Sequence, residues 1–214
     1  MNSIFYLIKH DYNNLKHIPD INICDSNGNN LLLYLLTYNN DIYILKNILQ
    51  KKININHVNK FGFNALFRLI YYSMDNINYD IIKLLYEYGI NINYVNDKLL
   101  NMNALFLLLY CNKIDNNLHI VKYLIDNNIN MNHKNIYNND ILIEALQSTN
   151  INISFIKLIC KSNITRNNHY IFNHPLINNK IIYILINNRF KTPYYNSDNN
   201  VILNSHLSIN NIII

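Results

Sequence analysis

The chain has 214 residues, 50% of them hydrophobic, with a formal net charge of +5. That apolar content suffices for a buried core and excludes disorder of the whole chain. The positive charge is dispersed, with Lys51-Lys52 the one adjacent pair of Lys or Arg, which excludes the continuous cationic track that a nucleic-acid face needs.

Asn and Ile together make up about two-fifths of the chain, Trp is absent, and Gly and Pro number three each. This bias fits AT-rich coding better than a physical demand, and Asn is expected to fill turns and solvent faces. The Asn tracts alternate with Ile and Leu at helical spacing, so they read as folded sequence. Cys24, Cys111 and Cys160 have no metal-ligand spacing and leave an odd count, as suits a reducing compartment. No apolar run reaches the roughly 18 residues of a membrane span, and the segment Met1 to His10 lacks the basic start of a signal peptide. The expectation is a soluble intracellular protein whose work involves no metal, cofactor or membrane.

In chain order, Ile4 to Lys9 and Asn13 to Ile18 read as two short helical pieces, followed by Asp20-Ile21-Asn22; residues 1–22 are expected to cap the N-terminus as a half-repeat. Asp25 and Gly28 suit a tight turn with Gly28 at positive φ, and Asn30 caps a helix starting at Leu31. The same frame returns at Asn59 to Phe67, Asn101 to Phe106 and Asn135 to Ile143. Each copy leads to a second short helix and an Asn closure. The fullest is Asp80 to Asn93, with Asp80 as N-cap, Ile81, Ile82, Leu84 and Leu85 at helical spacing, and Gly89 where the helix stops. The closing residues Asn56, Asn93, Asn132 and Asn167 recur at intervals of 37, 39 and 35. A period in that range means a solenoid. The repeats run at about 23–56, 57–93, 94–132 and 133–167, with a degraded one at 168–193 and a tail at 194–214. In the degraded copy Pro175 sits where a first helix should run, and Ile181 to Ile186 makes its second. The expected core comprises Leu32, Leu66, Ile81, Ile82, Leu84, Leu85, Leu105, Val121, Leu124 and Leu142.

Turn, helix, loop, helix and Ile-Asn-Ile-Asn closure in this length resembles the ankyrin repeat. Asp25 and Gly28 stand at its Asp-x-x-Gly turn, Asn64-Ala65-Leu66-Phe67 at its Thr-Pro-Leu-His, and Ile81 to Asn93 at its second-helix consensus. The chain departs from that family in lacking the Pro and His, in carrying Leu35-Leu36, Leu69-Ile70 and Leu108-Leu109 where small residues are usual, and in two long inter-helix loops. The resemblance implies an all-α solenoid of helix-turn-helix units with short turn or hairpin connections. The Asn, Ile and Tyr bias looks like that of poxvirus ankyrin-repeat proteins, with an AT-rich protist as the other source. That family implies a viral factor in the host cytoplasm or nucleus that binds a host protein. Its usual C-terminal F-box-like segment has no counterpart in Tyr194 to Ile214, so the chain reads as a short, array-only member or as a truncated one. The alternative function is a substrate adaptor of a cullin-RING ubiquitin ligase with a divergent adaptor-binding segment.

His, Cys and acidic residues converge on no predicted cleft, and His57 and His133 occupy equivalent places after the Asn closure, so no catalysis is expected. In the ankyrin family, recognition falls on the second, third and fifth residues of each turn and on the thirteenth and fourteenth of each repeat. Counting from Asp25, Asn59, Lys98 and Asn135, those positions include Tyr38, and the candidates drawn from them are Lys60, Phe61, Phe63, Tyr71, Tyr72, Leu99, Leu100, Met102, Tyr110, Ile136 and Tyr137. An exposed aromatic patch among them would be a protein-binding surface.

Overall fold

A computed structural model describes residues 20–38, 41–148, 151–162, 164 and 179–188. The expectations for the helical pieces before Asp20, for the stretch around Pro175 and for the tail, where an adaptor-binding segment would have to lie, fall outside the described residues. Within them the chain is all-α: α1 (Leu31–Tyr38), α2 (Ile42–Gln50), α3 (Ala65–Tyr72), α4 (Tyr79–Glu87), α5 (Ala104–Tyr110), α6 (Leu118–Asp126), α7 (Ile141–Gln147), α8 (Ile153–Lys161) and α9 (Asn179–Asn187). The chain divides into two compact units, Met1–Ile129 and Asn130–Ile214. In the N-terminal unit α3 packs between α1 and α5, while α2 packs on α1 and α4, and α4 on α3. In the C-terminal unit α8 packs on both α7 and α9.

Helices of seven to nine residues are too short to persist on propensity alone. Side-chain caps and burial make up the difference. The Asn30 carboxamide accepts from Leu33 N–H at 3.0 Å, Asn64 from Phe67 N–H at 2.9 Å, and Asn103 from Leu105 N–H at 3.1 Å. Asp140 does the same for α7, accepting from Leu142 and Ile143 at 3.1 and 3.0 Å. The second helices α2, α4 and α8 are capped by Asp41, Asn78 and Asn152. The cap of α4 is therefore Asn78, two positions before the expected Asp80. Asp80 lies in the first turn, where it favours the helix dipole and pairs with Lys83 at 2.7 Å. Gly89 closes the same helix with a φ of 88°, and Lys52 and Asn128 adopt the equivalent left-handed geometry at the ends of α2 and α6.

Helix α1 has six consecutive buried residues, Leu31 to Leu36, and α5 has five, Ala104 to Leu108. A helix apolar almost all round must be covered on more than one side, and the bulky Leu pairs fill that space. All ten residues expected in the core are buried, Leu32, Ile81, Leu85, Leu105, Val121, Leu124 and Leu142 completely so.

The long loops after α3 and α5 are fastened to each other. Asn117, fully buried, accepts from Ile77 N–H at 3.0 Å and donates to the carbonyls of Asp75 and Lys113, both at 2.7 Å. The Lys113 ammonium donates to the Ile70 and Tyr71 carbonyls at 2.6 and 3.1 Å, and to that of Ser73. It thus supplies a cation and three donors to the C-terminal end of α3, where unpaired carbonyls gather. Extra residues in one loop satisfy the backbone of the other.

Leu85→Ala should lower unfolding free energy by about 2–5 kcal/mol, because Leu85 is fully buried at the α4 interface. Chemical denaturation of the variant beside Tyr43→Ser, a site 83% exposed, checks this; the latter should stay within about 0.5 kcal/mol of the parent.

Candidate interaction surface

Each turn preceding a first helix is built by one side chain. Asp25 Oδ1 accepts from Asn27 and Asn29 N–H at 2.8 and 2.9 Å, and Asn59 Oδ1 from Phe61 and Phe63 N–H at 3.0 and 2.9 Å. Asn135 repeats the pair in the C-terminal unit, to Tyr137 and Asn139, at 3.0 and 3.1 Å. The backbone closes around each, from Asp25 to Asn29, from Asn59 to Phe63 and from Asn135 to Asn139. Gly28 and Gly62 supply positive φ values of 74° and 78°. At Gly62 space matters too, since a Cβ would lie 2.1 Å from the Asn96 side-chain oxygen.

In the third turn Asn96 is the organising residue. Its N–H donates to the Met102 carbonyl at 2.8 Å and its side chain accepts from Lys98 N–H at 3.0 Å. This corrects the frame counted from Lys98. The turn is two residues longer than the others and contains no glycine, and Leu100 and Asn101 carry its positive φ values of 50° and 55°.

The geometry sorts the candidate residues. Phe61 sits at a turn tip, 56% exposed, and Tyr71, Tyr72 and Tyr110 lie exposed at the C-terminal ends of α3 and α5. Lys60 is exposed, with its carbonyl accepting from the Lys98 ammonium at 3.0 Å. Leu99 and Leu100 are half-buried in the lengthened turn. Ile136 and Tyr137 are exposed in the turn of the C-terminal unit. Phe63 and Met102, by contrast, are buried, only 8% and 2% exposed, and so do not join the exposed set. Both hold the place just before a helix cap, as Asn29 does at 3% exposure, and the Asx-bonded turn directs that place inward. Phe63 packs against Phe67 and Tyr71, with ring centroids 6.3 and 5.1 Å apart, and so backs the surface from within.

Tyr38, a counted position outside the candidate patch, is 57% exposed at the end of α1, whereas Arg68 falls outside the counted positions altogether. Arg68 is the one charged residue in α1, α3 and α5. It is 6% exposed, donates through Nε to Thr37 Oγ1, and lies with its guanidinium carbon 4.1 Å from the centre of the Tyr72 ring. The signal was available in the sequence, because the caps Asn30, Asn64 and Asn103 align Arg68 with Tyr34 and Leu107.

Burial pushes the Cys111 thiol up from its ordinary value and the neighbouring Lys113 ammonium down. Cys24 Sγ lies 3.5 Å from His57 Nε2, an arrangement that could suggest a nucleophile and its base. The same nitrogen is 2.7 Å from the Gly28 carbonyl, which can only accept, so Nε2 carries the proton and donates there. Burial, followed by the charges of Asp25 and Asp20, raises the thiol further from reactivity. His57 and the Gly28 carbonyl form a clasp between turns. Tyr94 makes the equivalent bond in the next repeat, its hydroxyl donating to the Gly62 carbonyl at 2.9 Å. Among the described residues no helix is long and apolar enough to cross a membrane, and no three His, Cys, Asp or Glu side chains group as metal ligands.

Neither protein-family models nor curated proteins give a match to this chain.

Phe61 and Phe63 give a direct check of this sorting. Phe61→Ser should change unfolding free energy by less than about 0.5 kcal/mol. Phe63→Ser should remove about 3–5 kcal/mol, as for truncation of a core aromatic. Equal effects in denaturant titrations would show that the two rings face the same environment.

Proposed function

We propose that this chain is a non-catalytic protein-binding module of the ankyrin-repeat type, which holds a host protein against the turn tips and first-helix ends of its N-terminal unit. The observation that carries the reading is the set of exposed aromatic rings on the elements that recur. Phe61 occupies a turn tip, and Tyr38, Tyr71, Tyr72 and Tyr110 occupy the ends of three neighbouring helices. Exposed rings gathered on neighbouring elements of one unit are what a protein-binding surface displays. Tyr and Phe also bury large areas with few rotatable bonds, which suits them as anchors.

The eight-residue α3 spans about 12 Å. An extended segment of about four residues matches that length. The aromatics rest on rigid supports: Asn59 fixes the Phe61 turn, buried Phe63 backs Tyr71, and Lys113 ties down the end of α3. A surface held this way loses little entropy on binding. The turn, cap and closure residues carry the ankyrin resemblance and the Asn, Ile and Tyr bias the poxvirus one; together they imply as partner a host protein met in the cytoplasm or nucleus. Its action is occupation of that protein, with no cofactor, metal, nucleic acid or membrane taking part.

The test is the double substitution of Phe61 and Tyr72 by Ser in the full chain. Affinity for the host protein recovered by the parent from cytosol should fall at least about thirtyfold, the loss of one anchor worth 2 kcal/mol or more. Far-ultraviolet circular dichroism and the melting temperature should match the parent. Full binding by the folded variant would place recognition on another face.

A further inference from the structure

Arg68 occupies a core position. Counted from the helix caps, it stands where α1 has Tyr34 and α5 has Leu107, and those residues are 6% and 0% exposed. Arg68 itself is 94% buried, from a relative exposure of 6%. Its Nε is used by Thr37 and its face by the Tyr72 ring. Among the described residues its terminal nitrogens have no acceptor and no carboxylate lies within ion-pair distance; the ion pairs there are Lys83 with Asp80 and Lys122 with Asp126. A buried guanidinium with unused donors is destabilising. The two neighbouring first helices fill this position with uncharged side chains, Tyr34 and Leu107.

Exposed tyrosines stand on both sides of this buried charge. Tyr38 closes α1, Tyr71 and Tyr72 close α3, and Tyr110 closes α5, with α3 packed between the other two. Resting on the reading of this unit as a protein-binding module, we infer that Arg68 is the specificity residue of the surface and takes an aspartate or glutamate side chain from the middle of an extended segment of the partner on its terminal nitrogens, with the Tyr72 ring kept on its face as an anchor beside it. A carboxylate fits the fork of a guanidinium with two parallel hydrogen bonds. A phosphate would call for additional cations, and the nearby Lys113 ammonium is already committed to the carbonyls of Ile70, Tyr71 and Ser73. Rings on both flanks favour an acidic residue within a chain over a chain terminus, which would cover one flank alone.

The experiment uses the full chain and two libraries of displayed random twelve-residue peptides, one embedded between flanking segments and one with a free C-terminus. Embedded binders that are lost with the Phe61 and Tyr72 to Ser double variant should share an Asp or Glu between apolar or aromatic residues. Changing that residue to Asn or Gln should weaken binding to the parent about tenfold or more, as for a charge-assisted hydrogen bond. Arg68→Met should bind the acidic and amide peptides within about twofold of each other, and its melting temperature should be no lower than the parent's, since Thr37 Oγ1 keeps its bond to the Leu33 carbonyl. Patch-dependent peptides whose amide forms bind equally well to the parent would overturn the inference and leave the module reading standing. Binders confined to the free-terminus library would overturn the choice of a side-chain carboxylate. A substantially lower melting temperature for Arg68→Met would make Arg68 a packing residue. Absence of any binder that depends on Phe61 and Tyr72 would remove both this inference and the function it rests on.

Discussion

The N-terminal unit depends on the primary amides of its asparagines. Short helices joined by tight turns leave many backbone N–H and carbonyl groups without helical partners, and each one that is buried must find another. Asparagine can accept with one atom and donate with the next. Asn59 uses both, accepting from the Phe61 and Phe63 N–H groups while donating to the Asn29 oxygen of the preceding turn at 2.8 Å. Asn96 likewise accepts within its own turn and donates to the Phe61 carbonyl at 3.3 Å. The turns are connected through these side chains.

A second row of amides runs through the Ile-Asn-Ile-Asn closures. Within each closure the first polar residue accepts from the N–H two places on: Asp20 from Asn22, Asn54 from Asn56, Asn91 from Asn93, and Asn130 from Asn132. The second reaches the following repeat. Asn22 accepts from Asn54 N–H at 2.8 Å, Asn56 accepts from Asn91 N–H at 2.7 Å and donates to the Gly89 carbonyl at 3.0 Å, and Asn93 donates to the Asn128 carbonyl at 3.2 Å. The alternating apolar residues Ile53, Ile90, Ile92 and Ile129 are buried. Hydrophobic burial supplies the larger share of the stabilisation, and the amides set the register in which it occurs. That register determines which aromatic rings face water.

Helix positions, caps and core were largely legible in the sequence, because apolar spacing and the Asn, Asp and Gly punctuation follow from local geometry. Leu85, Asn64 and Gly89 sit in the environments their neighbours imply. The frame of the third turn was not legible, since Asn96 is separated from Met102 by two extra residues with no glycine to mark the bend. Phe63 and Met102 read as contact residues because the ankyrin resemblance places recognition on the fifth residue of each turn. Their inward direction comes from the bonded turn closed by Asn59 or Asn96, which a linear pattern does not display. The asparagine excess itself had suggested filling of turns and solvent faces. Coding bias can explain how many there are, but Asn117, Asn96 and Asn64, at 0%, 0% and 1% exposure, satisfy backbone groups within the fold. Arg68 escaped notice because a single cation within an apolar helix is ordinarily solvated, and only alignment of the caps places it in a core slot.

Equilibrium unfolding in urea of Asn59→Ala beside Asn47→Ala tests the role of the amides most directly. Asn59 is 4% exposed and serves two N–H groups of its own turn and the neighbouring Asn29; Asn47 is exposed on α2. Loss of Asn59 leaves a buried N–H without its acceptor and should cost about 1–3 kcal/mol. Asn47→Ala should stay within about 0.5 kcal/mol of the parent or stabilise slightly, because alanine is the better helix former. An Asn59→Ala variant as stable as Asn47→Ala would contradict the account and leave apolar packing alone to set the register.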